Sequence, residues 1–209
     1  MIIAVGGDGG GIGRTTTALG LAAAAAAADD DVVLFDCAPD GYGAAAATRS
    51  MNALAEILGY RPRLRVQTLG RPDAVDWARE RGFSARVSIL DLPPGRQAEF
   101  IPETDAVVVP VPDGQLSTLD MLLSVRFDMV IAERGVPVFA LPVRVRGRTA
   151  ANITGEEVER EGVQLLRARI PERMALAAAM GSPWESDWAV LGQLYERAWA
   201  ELRQRCRGD

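Results

Sequence analysis

The 209-residue chain contains no histidine. That excludes histidine-based catalytic triads and the commonest zinc sites. Lysine is absent too, because all 23 basic residues are arginine. Any phosphate site must therefore work with planar guanidinium groups, which do not replace an ammonium point charge one for one. There are two cysteines, Cys37 and Cys206. They lie far apart without metal-ligand spacing, so a reduced, cytoplasmic protein is expected. No apolar run suits a membrane span: the alanine-rich stretch Ala18 to Ala28 is short, weakly apolar and followed by Asp29, Asp30 and Asp31. Met1 leads straight into an apolar run without a basic segment, so no secretory leader is expected. The net charge of −5 rules out a polycationic surface. Nucleic-acid contact would need a local patch.

What remains is an ordinary globular composition, 48% hydrophobic and 24% charged. The length suits a single domain over residues 1–209 with a substantial core. Its most informative stretch is Gly6 to Thr17, GGDGGGIGRTTT, between the apolar run Met1 to Val5 and the alanine-rich run. A strand, a glycine loop and a helix are implied. Gly10, Gly11 and Gly13 permit positive φ, so successive N–H groups can converge on one concavity beside a helix N-terminus, which suits phosphate. In the phosphate-loop pattern G-x-x-x-x-G-K-[ST], Asp8 stands at the first glycine, Gly13 at the second, Arg14 at the lysine and Thr15 at the hydroxyl. Two of these four positions depart from the pattern, and glycine turns of this kind also occur without a ligand.

Thr15, Thr16 and Thr17 suit the opening of a helix, and the alanines continue it. Val32 to Phe35 has the continuous apolar character of a parallel strand buried on both faces, and it ends at Asp36. A carboxylate there sits on the rim where open α/β sheets bind ligands. The following Ala38-Pro39-Asp40-Gly41 equally suits a simple turn. Arg86 to Asp91 repeats the device, delivering Asp91 before Leu92-Pro93-Pro94-Gly95. Together with the Thr15 hydroxyl, such a carboxylate can hold a nucleotide-bound Mg²⁺. Further strands are expected at Leu64 to Leu69, Ala106 to Val111, Val136 to Val143 (with an early end at Pro137 or Pro142) and Val163 to Leu166. Helices are expected at Asn52 to Leu58, Ala74 to Arg81, Leu116 to Ala132, Glu156 to Glu161, Ala175 to Met180 and Trp188 to Arg205. The last carries Leu191, Leu194, Tyr195, Ala198, Trp199 and Leu202 at core spacing. The alternation predicts an α/β fold, a doubly wound, mostly parallel sheet with helices on both faces.

Taken in order, the loop with Arg14-Thr15-Thr16, the strand ending in Asp36 and the strand ending in Asp91-Leu-Pro-Pro-Gly95 resemble the ParA/MinD family of deviant-Walker P-loop ATPases. The family's loop reads KGGxGKTT and its next strand ends in DxDP. Residues Ala106 to Asp120 and Ile170 to Gly181 resemble two of its later segments, so the likeness covers nearly the whole chain and is closest to small plasmid-partition proteins. It implies that Gly10, Gly11, Ile12, Gly13, Arg14, Thr15 and Thr16 bind the phosphates of ATP. Thr15 would ligate Mg²⁺, Asp91 would hold the metal's outer shell, and Asp36 would orient the attacking water. It also implies an ATP-dependent homodimer, non-specific DNA binding, and a centromere-binding or adaptor partner, in plasmid or chromosome partition or cargo positioning. The chain departs from the family where the signature lysine falls on Gly9, the loop lysine on Arg14 and the second aspartate of DxDP on Ala38. Asp8 adds a like charge beside the phosphate nest. These departures imply slow hydrolysis at best.

Arg144, Arg146 and Arg148 alternate and could face one side of an extended segment, and Arg203, Arg205 and Arg207 end the last helix. Solvated faces or helix C-terminal cations account for both groups, and so does non-specific DNA binding. Two other readings remain beside the switch: a pseudo-ATPase that keeps the fold as an interaction or DNA-binding module without turnover, and a small-molecule ligase resembling dethiobiotin synthetase.

Overall fold

The computed structural model describes residues 1–8, 10–28, 30–38, 43–44, 64–68, 86–95, 97–100, 104–112, 135–145, 162–172 and 185–207. The short runs rich in valine, isoleucine and leucine form the strands β1 (Ile2–Val5), β2 (Val32–Asp36), β3 (Leu64–Thr68), β4 (Val87–Asp91), β5 (Ala106–Pro112), β6 (Val138–Val143) and β7 (Gln164–Leu165). They make one seven-stranded sheet in the order β3-β2-β4-β1-β5-β6-β7, parallel at every pairing. The expected α/β fold with a parallel sheet is borne out. Because all strands run the same way, their C-terminal ends share one edge, and β1 sits at the point where the chain's progression along the sheet reverses. That is where open α/β sheets form their ligand crevice.

Both faces of the sheet are buried. Ile3, Val5, Val32, Leu34, Ile89, Val108, Phe139 and Leu141 pack on one side. Ile2, Ala4, Val33, Phe35, Leu90, Val107, Val109 and Ala140 pack on the other, with Phe100. Helices α1 (Arg14–Ala27) and α2 (Glu185–Arg207) belong to the first face. They approach closely because glycines remove side chains at their crossing. A Cβ on Gly20 would lie 2.2 Å from the Tyr195 ring, and one on Gly192 would lie 3.1 Å from the Ala23 carbonyl oxygen. In α2 the expected stripe is core: Leu191, Tyr195, Ala198, Trp199 and Leu202 are buried, and Leu194 packs against them.

Two expectations need correction. The alanine-rich helix is not opened by a threonine cap. Its N-cap is Gly13 at φ 97°, without a side-chain capping bond, because the loop must hand the chain over in a left-handed conformation that glycine takes most readily. Nor does β6 end early, since it runs through Pro142 to Val143. On the β7 side ladder pairing stops at Ala140, so no ladder bond is lost at Pro142, whose carbonyl accepts from the Ile170 N–H at 2.9 Å. Proline is tolerated where its missing donor has no partner to serve.

The expected helices at Asn52 to Leu58, Ala74 to Arg81, Leu116 to Ala132, Glu156 to Glu161 and Ala175 to Met180 lie outside the described residues. No helix among the described residues is long and apolar enough to cross a membrane.

Candidate functional site

The glycine loop leaves β1 at the shared C-terminal edge. Gly6 continues the ladder for one bond, donating to the Val108 carbonyl at 3.0 Å, and the chain then turns through Gly7, Gly11 and Gly13 at φ values of 124°, 73° and 97°. Ile12 anchors the loop and is buried. A Cβ built on Gly7 would lie 2.9 Å from the Ile12 side chain and 3.2 Å from that of Val109. At Gly10, Gly11 and Gly13 an added Cβ would meet nothing within 4 Å. The anchoring side of the loop is thus filled and its mouth is open, as a backbone cradle for phosphate requires.

Beneath the mouth, adjacent strands deliver the two carboxylates. Asp36 of β2 is in register with Asp91 of β4, and both are buried. An ideal Cβ on Gly43 would sit 2.6 Å from one Asp36 oxygen and 2.9 Å from one Asp91 oxygen, so the two groups share a single small space. Asp36 accepts from the Ala38 N–H at 3.0 Å, and Asp91 accepts from the Ala44 N–H at 3.2 Å. Burial first, and the charge of Asp36 with it, push the Asp91 carboxyl up to about 6 against the hydrogen bonds from Thr15 and Ala44 and the charge of Arg14, which oppose the rise. Thr15, at the first turn of α1, therefore joins its hydroxyl to the carboxylate on the neighbouring element. Hydroxyl and carboxylate oxygens gathered beside an anion cradle fit Mg²⁺, which typically takes one or two protein oxygens and completes its shell with water and phosphate. No group of three or more acidic, histidine or cysteine residues that could hold a metal ion occurs among the described residues.

Arg14 occupies the lysine position and is bonded to the loop itself. Its guanidinium donates to the carbonyl of Gly7. Burial lowers its pKa, against the charges of Asp91 and Asp8, which raise it. Asp8 is in turn engaged by Gln97, whose amide donates to it at 2.6 Å, while the Gln97 carbonyl oxygen accepts the Gly7 N–H at 2.7 Å. Gln97 opens a 3₁₀ turn, Gln97–Glu99, after the Leu92-Pro93-Pro94-Gly95 segment.

The fold therefore brings together Gly10, Gly11, Ile12, Gly13, Arg14, Thr15, Asp36 and Asp91 at one edge, with Thr16 following Thr15 in the first turn of α1. Gly9, Arg146 and Arg148 lie outside the described residues. Arg144 follows directly on β6, and its guanidinium donates to the Gly11 carbonyl at 2.7 Å. Arg203 pairs with Asp30 at 3.3 Å, and Arg205 pairs with Glu201 at 2.5 Å while lying over the Phe139 ring, so both tie α2 to the body of the protein. The sequence did not single out Gln97 or Gly43. A glutamine in a turn carries no periodic signal, and Gly43 stands in a Gly-Tyr-Gly-Ala run that looks like any loop.

Residues 3–183 match the family described as the CobQ/CobB/MinD/ParA nucleotide binding domain. The chain belongs to this family of nucleotide-binding domains. Within it, the structure is similar to the MinD cell division protein of Aquifex aeolicus, with a TM-score of 0.68 at 14% identity, covering 100% of this chain and 97% of that one. It is also similar to a plasmid partition protein of Borrelia burgdorferi bound to AMPPNP, with a TM-score of 0.65 at 13% identity, covering 94% and 98%. A third likeness is to the septum site-determining protein MinD of Pyrococcus horikoshii complexed with Mg-ADP, with a TM-score of 0.66 at 17% identity, covering 98% of each chain. At these identities the likeness is one of fold. No curated protein matches the chain.

Proposed function

We propose that this protein is a ParA-like ATP-dependent dimerising switch, hydrolysing ATP slowly and acting in partition of DNA or positioning of another cargo. The observation that carries the reading is the convergence of the Thr15 hydroxyl, Asp91 and Asp36 beneath an open glycine cradle. In this reading the backbone from Gly10 to Thr16 binds the phosphates. Thr15 and Asp91 hold the metal, directly and through its water shell, and Asp36 orients water for attack. Bound Mg²⁺ would supply charge neutralisation for phosphoryl transfer. The Arg14 guanidinium already donates to the Gly7 carbonyl, a contact that competes with a phosphate for this cation, and that is a physical reason for slow turnover. The family resemblance extends the proposal to a homodimer, non-specific DNA contact through Arg144, Arg146 and Arg148, and a centromere-binding or adaptor partner.

Calorimetric titration with ATP and Mg²⁺, paired with sedimentation, tests this. Micromolar-range binding with an ATP-dependent rise in dimer is expected, and no heat and no change in mass would refute it. The pseudo-ATPase reading draws on a separate observation: the loop's own groups are already occupied, Gly7 by Gln97 and Arg14, and Asp8 by Gln97. On that reading Arg14→Lys would bind ATP where the unaltered chain does not.

A further inference from the structure

Arg144 is the one non-glycine residue with positive φ among the described residues, at 56°. Arginine has no local hydrogen bond of the asparagine kind to ease the left-handed conformation, so the surroundings must hold it there. What this backbone achieves is visible at the far end of the side chain. β6 and β1 are separated in the sheet by β5 alone, and a turn immediately after Val143 sends the guanidinium across the C-terminal edge to the Gly11 carbonyl, 2.7 Å away. The recipient lies on the open side of the loop, where a Cβ on Gly11 would touch nothing within 4 Å, and its φ is 73°. The positive charge also reaches α2, where it acts on the Tyr195 hydroxyl, which shares a hydrogen bond with Thr17 at 3.4 Å.

A peptide unit is planar, so a carbonyl fixed in one direction fixes the N–H of the next residue in the opposite one. Holding the Gly11 carbonyl on Arg144 thus fixes the Ile12 N–H on the opposite side of that peptide. We propose that Arg144 is a positioning residue of the phosphate loop, pinning the Gly11–Ile12 peptide so that its N–H is preset for an anion. The part of this assignment that concerns phosphate rests on the nucleotide-site reading above; the part that concerns loop order does not.

Two readouts separate these parts. The first is amide hydrogen exchange of residues 10–13 in the ligand-free full chain, comparing the unaltered protein with Arg144→Gly and Arg144→Asn, both of which accept a left-handed backbone. Exchange about tenfold faster in the loop, the loss of roughly one charge-assisted hydrogen bond, with β-strand protection and melting temperature unchanged or raised, is expected. Unchanged loop exchange in both variants overturns the proposal. The second readout is titration with pyrophosphate and with Mg-ATP, where the variants should bind about tenfold more weakly than the parent. If the parent binds and the variants bind equally well, the anion role of Arg144 is refuted and the nucleotide site stands. If the parent binds neither ligand, the nucleotide site and the anion role fail together, and the exchange result alone decides whether Arg144 orders the loop.

Discussion

Replacing Asp91 by asparagine should stabilise the ligand-free protein while destroying the site. The Asp91 carboxyl is raised from 3.8 to about 6 by burial first and by Asp36 second, against the Thr15 and Ala44 hydrogen bonds. An acid whose folded-state pKa lies above its unfolded value binds its proton more tightly when folded. Below about pH 4 it is protonated in both states and costs nothing. As pH rises through the interval to about 6 the folded state loses ground, and above that the cost is complete. A rise of roughly two units, at about 1.4 kcal/mol each, sets that cost on the order of 3 kcal/mol. Asparagine is close in shape, can accept one of the existing bonds through Oδ1, and points a donor rather than a second negative charge at Asp36. Urea unfolding at pH 8 should therefore show Asp91→Asn more stable than the parent by up to about 3 kcal/mol. The advantage should shrink steadily as the pH is lowered toward 4. Mg-ATP affinity should fall in the same variant. A variant that is less stable at pH 8, or a gap that ignores pH, would refute the claim that the Asp91 carboxylate is held here against the cost of burial and the charge of Asp36.

Other substitutions probe the rest of the scaffold. Gly20→Ala would place a methyl 2.2 Å from the Tyr195 ring. Overpacking of roughly 1–3 kcal/mol exceeds the helix propensity returned by alanine, so the melting temperature should drop by several degrees, and Tyr195→Leu should rescue it. A Gly20→Ala protein that melts higher would show the helices free to separate. Gly43→Ala should abolish nucleotide binding, because its Cβ would stand 2.6 Å from an Asp36 oxygen and 2.9 Å from an Asp91 oxygen; unaltered affinity in calorimetry would mean that this space is not used. Gln97→Leu strands the Gly7 N–H, which should cost about 1–3 kcal/mol in denaturant unfolding, and a neutral result would mean that water or another group replaces the amide. Arg14→Lys should tighten ATP binding by about tenfold, since the shorter, unforked cation has less hold on the Gly7 carbonyl; weaker binding would identify Arg14 itself as the phosphate cation.

How much of this was legible beforehand follows from the kind of signal each feature leaves. Buried parallel strands need continuous apolar runs, so β1, β2, β4 and β5 stood out, and the aspartates that end β2 and β4 were visible because each breaks such a run. What spacing could not say is that Asp36 and Asp91 are register partners, since β4 pairs with β2 across some fifty intervening residues. The threonine run misled about the helix start because capping preference is local, whereas here the loop's handedness took precedence and the Thr15 hydroxyl was drawn to Asp91 instead. Pro142 misled about β6 because the rule against proline applies to paired donors, and whether the Pro142 position is paired depends on where β7 stops.

The same reasoning explains why Arg144 was first grouped with Arg146 and Arg148. Alternating arginines after a strand look like one cationic face, and nothing local marks the first as different. The difference is its left-handed backbone at φ 56°, which aims the side chain across the sheet edge rather than away from it. Several groups around the loop are already bonded within the protein: Arg14 to Gly7, Arg144 to Gly11, and Gln97 to both Gly7 and Asp8. Those contacts do not share one fate on binding. The bonds to Gly7 and Asp8 gather on the residues before the open mouth, where the Gly7 carbonyl competes with any phosphate for Arg14. The bond from Arg144 falls on Gly11, and on the proposed reading it stays in place when an anion binds. On that reading an arginine in place of the loop lysine sets its own contact against phosphate binding, and the arginine after β6 offsets that by presetting the peptide beside it.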